Sequence, residues 1–191
     1  EDLPNTYLSP QDYAPLLRAT YEKVKALPNP PIVVLGGLAS GGPSAADYVT
    51  QVKQQWGGGI YFDAVGLHPY LAVAGGIGWP AFGTMQDTIN AVYAVAAGRQ
   101  IWVTEFGAAY QHLGNDKLQQ AQYLENCYNI FKTLMDGNKR KVGVAFWFAW
   151  DDRTHYNPNV ESFGLVEQDR SGTPDLWRRP DWYSYQKVSA P

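Results

Sequence analysis

Apolar positions along the chain fall into two alternating rhythms, one of helical spacing and one of short uninterrupted runs. Ser9-Pro10-Gln11-Asp12 reads as a helix start: a serine can accept from first-turn amides, proline suits the first helical position, and an acid suits the positive end. Tyr13, Leu16, Leu17, Thr20, Tyr21 and Val24 then recur on one face, and Pro28-Asn29-Pro30 ends the element. The run Ile32-Val33-Val34-Leu35 follows, short, β-branched and bounded by Pro31 and Gly36-Gly37, which suits a strand covered on both faces. The same phrase then repeats. Ser44 with Asp47 predicts a helix to about Trp56, and Phe62 to Leu67 the next strand. Thr84 with Asp87 starts a third helix burying Ile89, Val92, Tyr93 and Ala96, followed by a strand at Ile101 to Thr104. Asn115 is the expected cap of a fourth helix, whose face is Leu118, Ala121, Leu124, Tyr128, Phe131 and Met135, and Val142 to Phe148 is the fourth strand. Tyr183 to Val188 reads as a last helix. Strands separated by helix-length crossovers imply parallel, right-handed connections, hence an α/β fold of parallel (β/α) repeats.

Composition narrows this picture without changing it. The chain has 191 residues, 45% hydrophobic and 14% aromatic, which is a globular composition and excludes disorder. Its 13 prolines and 19 glycines fall between the periodic segments, so residues 1–191 read as one domain with no linker. The single Cys127, on the apolar helical face, excludes an internal disulfide or a multi-cysteine metal cage and reads as a buried thiol. Fifteen Lys and Arg against 18 Asp and Glu give no basic excess for nucleic acid, and Lys139, Arg140 and Lys141 read as a solvated turn. No window approaches the roughly 18 apolar residues of a membrane span, so no membrane partner is expected, and Glu1-Asp2 opens no signal peptide. Low lysine content with abundant aromatic residues is compatible with a secreted protein.

Ligands of parallel α/β folds bind at the carboxyl ends of the strands, where this sequence gathers Gly, His, Glu, Trp and Asp. Glu105, at the end of Trp102-Val103-Thr104-Glu105, is an ionisable group at the mouth of the sheet: either a functional carboxylate or one satisfied by a loop amide or arginine. His68 in Leu67-His68-Pro69-Tyr70 has the same position on the preceding strand, with a structural hydrogen-bonding role as its alternative. In Phe146-Trp147-Phe148-Ala149-Trp150-Asp151-Asp152, alternation sends Phe146, Phe148 and Trp150 one way and Trp147 the other. An exposed indole offers a flat face to a sugar, whereas a buried one fills the core. Asp151 and Asp152 can hold a hydroxyl or a metal, or simply form a turn or cap. The glycine-rich dinucleotide and P-loop signatures, G-x-S-x-G and H-E-x-x-H are all missing, which removes the main supports for those chemistries.

The ordered signatures Val34-Leu35-Gly36-Gly37-Leu38, Asp63 to Tyr70, Trp102 to Gly107 and Phe146 to Trp150 resemble strands five to eight of the clan A glycoside hydrolases. These are retaining (β/α)8-barrel enzymes related to cellulases and β-xylosidases. Phe163 to Val166 and Arg179 to Gln186 are similar to that family's closing segment. The resemblance implies the second half of a TIM barrel lacking the first half, and cleavage of a β-linked oligo- or polysaccharide by double displacement. It makes Glu105 the nucleophile, lines the site with His68 and Tyr70, and offers Trp147 or Trp150 as sugar platform. The acid/base position falls on Glu1, although the asparagine that should precede it is missing. No metal and no organic cofactor is implied. A half barrel exposes sheet edges, so the expected partners are the carbohydrate and either a complementary half-barrel chain or a second copy. The alternative reading is a non-catalytic carbohydrate-binding or structural half-barrel that associates with another chain.

Overall fold

The structure is a computed structural model, and residues 8–39, 44–70, 82–136, 140–152, 162–168 and 176–189 are described. Helix α1 (Pro10–Lys25) leads to strand β1 (Val34–Ala39), α2 (Ala45–Gln54) to β2 (Ala64–His68), α3 (Phe82–Val95) to β3 (Gln100–Phe106), and α4 (Lys117–Met135) to β4 (Val142–Trp147). These strands form one sheet in the order β1-β2-β3-β4, with β1–β2 and β2–β3 parallel. The α/β class and its parallel repeats are therefore as the hydrophobic rhythm implies. A second sheet of short strands, β5 (Asp151–Asp152), β6 (Val166–Gln168) and β7 (Leu176–Arg178), precedes α5 (Pro180–Ser189).

Two compact units emerge, one of residues 1–69, 87–104 and 141–144 and the other of residues 70–86, 105–140 and 145–191. In the first, Ala14 and Leu17 of α1, Val49 and Val52 of α2, and Ala64, Val65 and Leu67 of β2 are buried. Every position of β2 from Ala64 to Leu67 is buried, as a strand covered on both faces requires. The caps are local and form as expected: Ser9 Oγ accepts from Asp12 N at 3.1 Å, and Ser44 Oγ accepts from Asp47 N at 3.1 Å. At the amino-terminal side of β2, Asp63 accepts from Lys25 Nζ at 2.6 Å and from Val33 N at 2.7 Å. Burial pushes its carboxyl pKa up, but the lysine and amide bonds outweigh that and hold it below the ordinary value.

In the second unit Phe106 is fully buried and meets Phe131, Tyr128 and Trp147 edge to face, at 4.8, 5.3 and 5.4 Å between ring centroids. Helix α4 is tied to α5 by Glu125, which accepts from Ser184 Oγ at 2.7 Å and from Lys187 Nζ at 3.0 Å. Several boundaries differ from expectation. Strand β1 runs from Val34 to Ala39 instead of Ile32 to Leu35, passing through Gly36 and Gly37, and its exposed positions show that it is not covered on both faces. Helix α5 starts at Pro180, three residues before Tyr183. Helix α3 starts at Phe82, placing Thr84 inside it. The cap of α4 is Asp116, whose Oδ1 accepts from Leu118 N at 2.8 Å, while Asn115 stands at φ 59° after Gly114 at φ 72°. That left-handed pair follows a 3-10 turn at Tyr110–Leu113 and displaces the cap by one residue.

Candidate active site

Glu105 lies one residue inside the end of β3. Ile101 and Val103 are buried in alternation with less buried neighbours, so an unbroken strand would bury Glu105 as well. The alternation breaks there: Thr104 and Glu105 are both half-buried, and Phe106 takes the next buried place. The break spares the carboxylate the desolvation cost of a core position.

Tyr70, two residues past β2, donates its phenolic hydrogen to Glu105 Oε1. Burial, the hydrogen bond to Glu105 and the carboxylate charge push the Tyr70 phenol well above its ordinary value. The phenol therefore stays protonated, and therefore a donor, throughout the neutral range. Tyr70 meets Phe163 edge to face at 6.2 Å, and Phe163 meets Phe148 at 5.6 Å. Gly107 makes room for this arrangement. A Cβ there would collide with the Phe148 carbonyl oxygen and stand 3.1 Å from Phe163 Cδ1, while Phe148 N donates to Phe106 O at 2.8 Å.

The two tryptophans at the end of β4 have different surroundings. Trp147 is half-buried, donates Nε1–H to Phe163 O at 2.9 Å and packs edge to face on Phe106 and Tyr123. Trp150 is 53% exposed and meets Trp182 edge to face at 4.8 Å, with the Arg178 guanidinium 5.4 Å from the Trp182 ring centroid. The more exposed indole is thus the one with a face to offer. His68 closes β2 in the first unit, where a Cβ on Gly37 would overlap its imidazole, so Gly37 provides the slot that the ring occupies. Glu1 lies outside the described residues. Among the described residues no group of three His, Cys, Asp or Glu side chains could hold a metal ion. Cys127 is fully buried, and burial outweighs its hydrogen bond with Tyr123 in pushing the thiol pKa up, so it is a packed and unreactive group.

Phe163 and Gln120 are neighbours of this site that the sequence does not reveal as such. Gln120, fully buried on α4, donates from Nε2 to Ala108 O at 2.8 Å and to Ser162 O at 3.0 Å. A buried glutamine in an otherwise apolar helical face is the signal that could have pointed to it.

Residues 11–176 match the family described as glycosyl hydrolase catalytic core. The fold is similar to that of Fpglu1 from Fervidobacterium pennivoraus, with a TM-score of 0.65 at 16% identity over 94% of this chain and 48% of that one. It is also similar to the intracellular xylanase TsXylA from Thermoanaerobacterium saccharolyticum in a complex with xylotriose, with a TM-score of 0.62 at 13% identity over 92% and 49%. A GH128 oligosaccharide-binding protein from Trichoderma gamsii matches with a TM-score of 0.59 at 13% identity over 95% and 61%. The chain thus spans about half the length of the first two. No curated protein matches the sequence. Among the described residues no helix is long and apolar enough to cross a membrane.

Proposed function

The chain belongs to the glycosyl hydrolase catalytic core family, and from that premise we propose that it contributes the nucleophile side of a retaining glycoside hydrolase acting on a β-linked oligo- or polysaccharide. The observation that carries the reading is the Glu105 carboxylate at a strand's carboxyl end, held by a phenol that does not ionise near neutrality. In this reading a Glu105 oxygen attacks the anomeric carbon as the bond to the leaving oxygen breaks, and a protonated carboxylic acid delivers its proton to that oxygen. Water, deprotonated by the same second group, then cleaves the glycosyl ester and releases Glu105. Tyr70 orients the carboxylate and stabilises its charge before attack and after release. The second carboxyl group must stand roughly 5 to 5.5 Å from Glu105, and Glu1 is its candidate. Tyr70 lines the site, and Trp150 and Trp147 supply aromatic surface for the sugar.

We read residues 1–191 as one barrel-type domain whose sheet needs further strands. Ile32, Phe146 and Phe148 are 56%, 49% and 43% exposed, and β1 and β4 are the edges of a sheet whose kind is normally covered on both faces. A complementary half barrel, on the same polypeptide or another, or a second copy would cover them. Native mass in solution tests this, and a cooperatively folding species at the 21.2 kDa of the chain overturns it.

Glu105→Gln keeps the shape of the side chain and removes the nucleophile. Turnover of β-linked oligosaccharides is expected to fall about 10^4-fold or more. Undiminished turnover overturns the assignment. The similarity to an oligosaccharide-binding protein supports a second reading, in which the site binds saccharide without cleaving it. Saccharide binding by the unmutated protein with no product formed favours that reading.

A further inference from the structure

Neither the family match nor the strand-end pattern gives a role to residues 162–165, yet this short stretch before β6 is tied down by a set of hydrogen bonds. Ser162 N donates to Gln111 Oε1 at 3.0 Å, and Gln111 Nε2 donates back to Ser162 Oγ at 3.0 Å. Ser162 O accepts from Tyr110 N at 3.3 Å and from Gln120 Nε2 at 3.0 Å. The second Gln120 donation, to Ala108 O, fixes the loop that follows β3, so a single amide group clamps that loop to residue 162. The next residue is Phe163. Its carbonyl accepts from Trp147 Nε1, and its ring stands between Phe148 and the tyrosine that holds Glu105, while remaining half-buried.

We propose that Phe163 is a saccharide-contacting residue, an aromatic wall for the C–H face of the sugar bound at Glu105, and that Gln120 is a positioning residue that acts through the Ser162 clamp to set it. The inference rests on the saccharide reading above and adds to it a binding surface and the device that aims that surface. Phe163 is half-buried, so part of its side chain stays open to solvent beside Tyr70, the partner of Glu105. Sugars present apolar C–H patches that an aromatic face accepts. Four hydrogen bonds on the preceding residue hold the ring in place before ligand arrives, which lowers the ordering cost of binding.

The test measures dissociation constants for cello-, laminari- and xylo-oligosaccharides by calorimetry in the Glu105→Gln background, where turnover does not interfere. Phe163→Leu keeps apolar bulk, so folding is retained while the flat face is lost. Affinity is expected to fall about tenfold, and Phe163→Tyr is expected to restore it. Gln120→Leu is expected to weaken affinity in the same direction, and the double variant with Phe163→Leu to be no weaker than Phe163→Leu alone, because the glutamine acts only through the ring. Binding that is unchanged in Phe163→Leu, or additive losses in the double variant, overturns the proposal and leaves the saccharide reading standing. Failure of the Glu105→Gln parent and of the unmutated protein to bind any of these saccharides overturns both.

Discussion

Replacing Tyr70 with phenylalanine exchanges the phenolic hydroxyl for a hydrogen and changes nothing else of consequence, since the ring that meets Phe163 at 6.2 Å is retained. The lost interaction is a hydrogen bond from a neutral donor to a carboxylate, worth about 1.5 to 3 kcal/mol net. At 1.4 kcal/mol per factor of ten, that is about a ten- to hundredfold loss in kcat/KM. Tyr70 and Glu105 are half-buried, so water can partly replace the phenol, which favours the lower end of the range. The direction of the Tyr70 shift adds a second requirement. A phenol whose pKa is raised in the folded state contributes stability that is fully present below its ordinary value of 10 and is lost as the pH rises above that. Tyr70 therefore stays a donor up to and beyond pH 10, and the basic limb of the pH–rate profile should be the same in both proteins below that pH. The assay is kcat/KM on an aryl β-glycoside across pH, with thermal unfolding alongside to confirm the fold. A loss smaller than about threefold in a folded Tyr70→Phe protein would refute the view that this hydrogen bond organises the nucleophile.

Two further perturbations test the scaffold around the site. Ser184 and then Lys187 hold the Glu125 carboxyl below its ordinary 4.5, so its contribution to stability is present above that pH and disappears as pH falls through the lowered value. Glu125→Gln should accordingly lower the unfolding temperature at pH 7 and leave it nearly unchanged at pH 2 to 3, whereas an equal offset at both would rule out the linkage. Gly107→Ala should destabilise the fold by about 1 to 3 kcal/mol, because the atom in its way is the backbone carbonyl of Phe148 and not the end of a flexible side chain. An unaltered urea midpoint in that variant would contradict the close approach.

What the sequence makes legible here is whatever is short in range. The caps at Ser9 and Ser44 close on residues three positions away, and β2 falls within the mostly apolar stretch Phe62 to Leu67 except for its last residue, His68. The α4 cap falls on Asp116, one residue past Asn115, because two consecutive left-handed residues, Gly114 and Asn115, are a turn geometry that composition does not reveal. Glu105 stands out as an acid ending an apolar strand, but its partner Tyr70 lies 35 residues away, and only the parallel register brings such pairs together. The clamp at Ser162 spans 42 to 52 residues and is invisible to periodicity for the same reason. Strands of two or three residues, as in β5 to β7, carry too few positions for an alternation to register, so Asp151-Asp152 reads as a hydroxyl or metal ligand, a turn or a cap, whereas its backbone pairs with Val166 and Glu167.

The measurement closest to the central claim is covalent trapping with an activated 2-deoxy-2-fluoro-β-glycoside, followed by mass mapping of the proteolysed chain. The expected result is a single glycosyl adduct on the peptide carrying Glu105, formed by the unmutated protein and lost in Glu105→Gln. Hydrolysis of β-glycosides by a protein that forms no adduct, or one labelled at another carboxylate, would contradict it.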